Sequence, residues 1–256
     1  MENALYNYRA VWERKPVLRM VYNDFFERIW AECVRGPTVE VGGGSGNLKS
    51  KFHDIIATDI QFASWLDLIA DAQQLPFADG SIGNIVMVDV LHHIEFPVIF
   101  LTEAARVLRA GGRIVMVEPA ITAGSTLFYR FLHEEPVDMS VDPLVVGWPD
   151  GERDPYDSNQ ALPTLLASRH LDRFHAAFLD FRIAQVQWFS FFVYPLSGGF
   201  KSWSLINARV ARIGLRLERL LEPLLGRWVG FRMLLVIEKR EREALHIVER
   251  DDGAER

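Results

Sequence analysis

Three short stretches of this 256-residue chain hold residue types able to grip a charged, nucleoside-bearing ligand. The first is Val39-Glu40-Val41-Gly42-Gly43-Gly44-Ser45-Gly46-Asn47. Glycines at 42, 44 and 46 let a backbone turn tightly and approach a ligand with no Cβ in the way. A helix starting there would offer free N–H groups, and a partial positive charge, to an anion. The second is Asp59, nineteen positions after Glu40, a carboxylate placed to accept both hydroxyls of a ribose. The third is Asp71-Ala72-Gln73-Gln74-Leu75-Pro76-Phe77, a polar stretch headed by a carboxylate. Further on, His92, His93 and Glu118 are groups that could take or hold a proton. A dinucleotide fingerprint G-x-G-x-x-G is not supplied. Its third glycine falls on Asn47 counted from Gly42 and on Lys49 counted from Gly44. A Tyr-x-x-x-Lys pair is missing too, so a nicotinamide-dependent oxidoreductase or epimerase is the weaker alternative.

The elements that must position these residues follow from periodicity. Val17–Arg35 reads as an amphipathic helix with Val21, Phe25 and Trp30 among its apolar positions, ended by Gly36 and Pro37. The short apolar runs Val39–Val41, Asp54–Asp59, Asn84–Val90 and Arg113–Val117 read as buried parallel strands. Phe100–Arg109 has helical spacing, with Gly111–Gly112 as its expected C-terminal stop. Strands alternating with helices over Val39–Pro119 predict a doubly wound parallel sheet. Past Pro119 the pattern changes. Ile121–Arg173 is rich in turns and aromatics and is expected to be an insertion or lid. Strand-like runs return at Phe181–Val193 and Phe231–Glu238, flanking a helical stretch at Ser204–Leu225, and the last residues read as a fraying charged tail.

The spacing G-x-G-x-G preceded by an acid resembles the first motif of class I S-adenosylmethionine-dependent methyltransferases. Asp71–Phe77 looks like the D-A-x-x-L-P-F signature of the group that includes ubiquinone- and menaquinone-biosynthesis methyltransferases (methyltransferase type 11). Leu91-His92-His93-Ile94 after the Asn84–Val90 run, and Leu108-Arg109-Ala110-Gly111-Gly112 before the fifth strand, are similar to the same group. The resemblance spans roughly Thr38–Glu118. It departs where Ile82–Gly83 replaces the usual Phe-Asp, at the end of the strand far from the ligand. It implies a Rossmann-like α/β fold: a mostly parallel seven-stranded sheet, helices on both faces, and a lid insertion after the fifth strand. It further implies S-adenosyl-L-methionine as cofactor, held by Glu40, Gly42, Gly44, Gly46, Asp59, Ile60, Asp71, Ala72 and Asp89. In that family the aspartate corresponding to Asp71 accepts from the adenine amino group, and Asp89 is expected at the methionine end.

Methyl transfer is an in-line displacement at an activated carbon, so the protein's task is mostly alignment, with a base where the acceptor must lose a proton. His93, His92 and Glu118, at or after strand ends, are the candidate catalytic groups. Tyr129, His133 and Glu134 in the insertion are candidates for the acceptor's polar part. His133-Glu134-Glu135 is not H-E-x-x-H, since position 137 is Val, and no cysteine pair lies nearby, so no metal site is expected.

Five segments are expected: an N-terminal helical cap (1–36), a cofactor-binding core (37–120), the insertion (121–180), strands and an amphipathic helix completing the sheet (181–240), and the tail (241–256). Apolar residues form 49% of the chain, enough for a sizeable core, and the net charge of −6 argues against nucleic-acid binding. A single cysteine, Cys33, excludes an internal disulfide and fits a cytoplasmic protein. In the helical stretch Arg209, Arg212, Arg216 and Arg219 fall on one face, and Ile206, Val210, Ile213, Leu217, Leu220 and Leu224 on another. Such a helix either packs on the core or makes peripheral contact with an anionic membrane. With aromatics such as Trp188, Phe192 and Trp203 nearby, a small or lipid-linked, partly apolar acceptor is expected. A non-catalytic cofactor-binding protein on the same fold is the other alternative.

Overall fold

The chain is described by a computed structural model covering residues 4–149, 151 and 153–241. The expected tail beyond Glu241 and the first three positions of the expected cap lie outside the described residues.

Seven strands form one sheet in the order β3-β2-β1-β4-β5-β7-β6. They are β1 (Thr38–Val41), β2 (Ile55–Asp59), β3 (Leu68–Ile69), β4 (Ile82–Val88), β5 (Leu108–Pro119), β6 (Phe181–Phe189) and β7 (Arg232–Lys239). Pairings are parallel from β3 through β5, and β7 alone runs antiparallel, between β5 and β6. This is the mostly parallel Rossmann-like sheet that the strand–helix alternation predicts.

Both faces of the sheet are buried, which explains the unbroken apolar runs. Ile85, Met87, Ile114, Met116, Leu235 and Ile237 point to one core, shared with α4 (Pro97–Val107), α6 (Leu162–Leu166) and α7 (Leu171–Ala177). Their chain neighbours Val86, Val115, Val117, Leu234 and Val236 point to the other, against α2 (Pro16–Glu32). A helix α1 (Ala4–Arg14), not anticipated as a separate element, precedes α2.

Several boundaries differ from expectation. Gly111–Gly112 does not cap a helix: α4 already ends at Val107, with Leu108 in extended backbone. Gly111 has φ +71° inside the long β5. The helix after the glycine loop, α3 (Asn47–Lys51), is only five residues long, so it is a weak macrodipole. Between β5 and β6 run α5 (Ala123–Phe131), a stretch to position 161 whose described residues form no helix or strand, and then α6 and α7. α8 (Val193–Ser197) and α9 (Ala208–Val229) lie between β6 and β7. In α9 the buried face is not the leucine-rich one. Its residues buried against the protein are Ala211, Gly214, Glu218, Glu222 and Gly226, while Val210, Ile213, Leu217, Leu220 and Leu224 are exposed.

Candidate active site

Beyond the carboxyl ends of the parallel strands lies a cavity of about 880 Å³, the usual ligand position in open α/β sheets. One wall is the glycine loop. Gly42 sits at φ +70°, and a Cβ there would fall 2.3 Å from a Val90 methyl carbon, so no other residue fits without displacing the chain. Gly42, Gly44 and Glu40 line the cavity; Gly46 does not. Gly46 turns the chain at φ +74° under the Trp65 ring, which would stand 2.5 Å from a Cβ. Asp59 ties this loop to β2. Its Oδ2 accepts from Gly44 N at 2.9 Å and its Oδ1 from Gln61 N at 2.9 Å. Burial raises the Asp59 pKa, partly offset by the amides of Gln61, Gly44 and Ile60.

Glu40 is buried, and its Oε2 has no hydrogen-bond partner among the described residues. Burial, with the Asp59 charge adding to it, pushes its pKa up to about 8. A buried acceptor without a donor costs free energy until one arrives. Two carboxylates on the cavity wall suit a ligand carrying a cationic group, as S-adenosylmethionine does with its ammonium and sulfonium. Ile60, Asp71 and Ala72 continue the wall, with Asp71 Oδ1 accepting from Gln73 N at 2.8 Å.

The floor joins Asp89, expected from the sequence at the methionine end, to groups that local sequence patterns do not reveal. Asp89, at φ +59°, accepts from Tyr22 Oη at 2.9 Å and pairs with Arg232 of β7, which also donates to Tyr194 Oη. Tyr22, Tyr194 and Arg232 all line the cavity. Tyr22 and Arg232 stand 67 and 143 positions from Asp89. No local spacing could signal them.

His92 and His93 lie on a 3-10 turn, Leu91–His93, after β4. Glu118, fully buried at the end of β5, accepts from Val90 N at 2.9 Å and Leu91 N at 2.7 Å. Its other oxygen is 2.7 Å from His92 Nδ1. His92 Nε2 is 3.3 Å from Glu135 Oε2. Burial alone would lower the His92 pKa. The hydrogen bonds and charges of Glu118 and Glu135 outweigh it and hold the value at about 9. His92 is therefore an imidazolium at neutral pH, donating to both carboxylates. Glu135 is held well below the usual carboxylate range, because the His92 hydrogen bond and charge outweigh its burial. His93 moves the other way, lowered by burial and by its charged neighbour. Its Nδ1 lies 3.3 Å from the Asp157 carbonyl. That contact puts the proton on Nδ1 and leaves Nε2 with a lone pair.

In the insertion, His133 and Glu134 line the cavity but Tyr129 does not. Tyr129 is turned inward and donates to Phe231 O at 2.8 Å, a correction to its expected place at the acceptor. Glu134 is exposed and pairs with Lys201 at 2.6 Å. Although the H-E-x-x-H spacing is absent, the fold brings potential ligand atoms of His92, His93 and Glu135 within 4.8 Å of one another. A metal there would have to displace the proton that Glu118 and Glu135 hold on His92.

Residues 39–116 match the model of a family described as "Methyltransferase domain". An uncharacterized protein of Methanocaldococcus jannaschii is 29% identical over 105 residues, covering 38% of this chain and 51% of that protein. An uncharacterized 37.1 kDa transposon protein of Streptomyces fradiae is 49% identical over 51 residues, covering 20% of this chain and 15% of that one. The chain thus spans about half, or less, of the length of these curated relatives. Among solved structures it is similar to a SAM-dependent methyltransferase, possible histamine N-methyltransferase, of Thermotoga maritima. The TM-score is 0.54 and the identity 17%, over 90% of this chain and 95% of that one. A SAM-dependent methyltransferase of Archaeoglobus fulgidus gives 0.52 and 14%, over 87% and 94%. These likenesses are of fold and do not single out the quinone-biosynthesis group. Over residues 39–116 the match to that methyltransferase-domain family falls on the sheet and the cavity wall, in a fold similar to that of SAM-dependent methyltransferases.

Proposed function

We propose that this protein transfers a methyl group from S-adenosylmethionine to a small, partly apolar acceptor, with His93 removing the acceptor's proton. One observation carries the reading: a single cavity is lined by Gly42, Gly44, Asp59 and Asp71 and also by His93 and the floor group Arg232–Asp89. The bound cofactor would supply a methyl group on a sulfonium. Everything else falls to the chain. Glu40 and Asp59 face the cofactor's polar groups, and Asp89, Tyr22, Tyr194 and Arg232 offer a polar floor for an acceptor. The imidazolium of His92 sits rigidly between Glu118 and Glu135. It keeps the neighbouring His93 neutral and so able to accept a proton.

Calorimetry with S-adenosylmethionine tests this directly. Asp59→Ala loses the anchor of Gly44 and is expected to weaken binding by about 10- to 100-fold, the worth of hydrogen bonds to a charged group. Unchanged affinity in that variant would remove the assigned cofactor site. Cofactor binding without label transfer from methyl-labelled S-adenosylmethionine to any soluble or lipid extract would leave a binding protein only.

Glu40 makes the binding depend on pH. With its pKa pushed up to about 8, it is mostly protonated at pH 7, and a cation beside it demands the ionised form. Binding at pH 7 is expected to release close to one proton. Affinity should rise with pH by up to about tenfold per unit, levelling off near 8. Proton release is read from the dependence of the calorimetric enthalpy on buffer ionisation, and Glu40→Gln should abolish it. An enthalpy indifferent to buffer contradicts the assignment.

A further inference from the structure

Helix α9 presents its apolar face to solvent. Val210, Ile213, Leu217, Leu220, Leu224 and Trp228 form a continuous stripe at helical spacing, each between 47% and 74% exposed. The helix cannot roll to bury them. Its inward face is set by Glu218, which accepts from Phe192 N at 2.7 Å and Val193 N at 2.8 Å. Glu222 grips Arg28 at 2.7 Å. Gly226 packs so close that a Cβ there would stand 2.1 Å from the Trp188 carbonyl oxygen. Helix α5 packs against α9 and adds Leu127 and Phe131, 66% and 69% exposed. A patch of this kind on a soluble surface marks something that covers it.

The charges beside the stripe say what. Arg209, Arg212, Arg216 and Arg227 are exposed along one edge of α9, with no carboxylate partner among the described residues. Both glutamates of the helix are buried, so every exposed charge on α9 is cationic. A second copy laid on this face would find no acid on α9 to meet the arginines. The chain's overall charge of −6 resides elsewhere and would turn α9 toward a negative surface. No described helix is long and apolar enough to cross a membrane.

We propose that α9 lies in the interface of an anionic lipid bilayer, with the leucines and Trp228 among the acyl chains and the arginines among the headgroups. Leu132 and Trp203, which line the cavity, are also exposed, at 70% and 44%. Leu132 directly follows α5, the helix packed against α9, so docking would bring this edge of the cavity toward acceptors dissolved in the membrane. That consequence rests on the proposed methyl transfer; the docking does not.

The experiment is sedimentation with phosphatidylcholine vesicles, with and without phosphatidylglycerol. Binding is expected only with the anionic lipid and should weaken as salt rises. Arg212→Gln with Arg216→Gln should weaken it by roughly 30-fold, each charge near the surface contributing about an order of magnitude or less. Leu220→Asp with Leu224→Asp should weaken it by at least about tenfold. Thermal melts matching the parent confirm that both pairs, exposed and outside the cavity, leave the fold intact. Absence of pelleting overturns the proposal, as does binding undiminished by the leucine pair. A dimer seen by light scattering and lost in that pair, without vesicle binding, overturns it in favour of a second copy. Vesicle binding without methyl transfer would overturn only the proposed function.

Discussion

Glu118→Ala is expected to lower the thermal midpoint by about 10 °C, the largest stability loss of any single change at this site. Glu118 is fully buried and accepts three hydrogen bonds, from Val90 N, Leu91 N and His92. Alanine leaves two buried amides without a partner and strips one of the two carboxylates from a buried imidazolium. Breaking a buried pair from one side costs about 3–5 kcal/mol, or about 2–4 °C per kcal/mol in a protein of this size. The pH dependence separates charge from packing. The folded His92 pKa, about 9, is raised above its value in the unfolded chain. Its contribution is therefore fully present below the unfolded value, about 6.5, and is lost as pH rises through about 9. The gap in midpoint between parent and Glu118→Ala should be widest near pH 6 and should narrow above pH 9. A gap that stays constant across that range would mean that Glu118 acts through the two amides and packing and not through the His92 charge.

The second large effect is on turnover. His93→Gln is expected to lower kcat by about 10²- to 10⁴-fold, the usual worth of a positioned base, with the affinity for S-adenosylmethionine unchanged. His93 lies in the cavity wall with its pKa lowered by burial and by the charge on His92. The parent's rate should therefore climb with pH in the range below 6.5 and be flat above it. His93→Gln should lose that limb of the profile. A merely structural role would lower the melting temperature and leave the profile's shape alone. Rates are followed as label passing from methyl-labelled S-adenosylmethionine into an acceptor extract. Undiminished transfer would assign proton removal elsewhere.

That Glu40, Gly42, Gly44, Asp59 and Asp71 would share one wall of a cavity was legible because it is local. Glu40, Gly42 and Gly44 sit on one turn, and Asp59 and Asp71 end or follow elements whose apolar runs have the right period. Strand ends slipped by a few residues for a physical reason. At Asn84–Val90 the apolar pattern runs past the last ladder bond, whereas the backbone begins pairing at Ile82 and stops at Val88. The floor of the cavity was not legible, since Tyr22, Asp89 and Arg232 meet only through the tertiary fold. The same holds for Glu135, whose approach to His92 depends on the path of a loop without regular structure. In α9 the helical period was plain, but periodicity says only that two faces differ, not which is inside. The small and acidic residues Ala211, Gly214, Glu218, Glu222 and Gly226 marked the inner face. Backbone contact needs space and acceptors there, not bulk.

The place of β7 bears on the order in which the protein can be made. Residues 232–239, near the end of the described chain, are an interior strand, bonded to β5 on one side and β6 on the other. Until they leave the ribosome, β5 offers an open edge and β6 has no neighbour in the sheet. The β6–α9 segment is then held against the rest through helix contacts such as Glu222 with Arg28, without a paired strand. Such long-range pairing makes assembly slow and leaves unpaired strand edges open to other chains. Arg232, which clamps Asp89 at the base of the cavity, arrives with that same strand. The Arg232 end of the cavity is thus completed only after the glycine loop already has its turn.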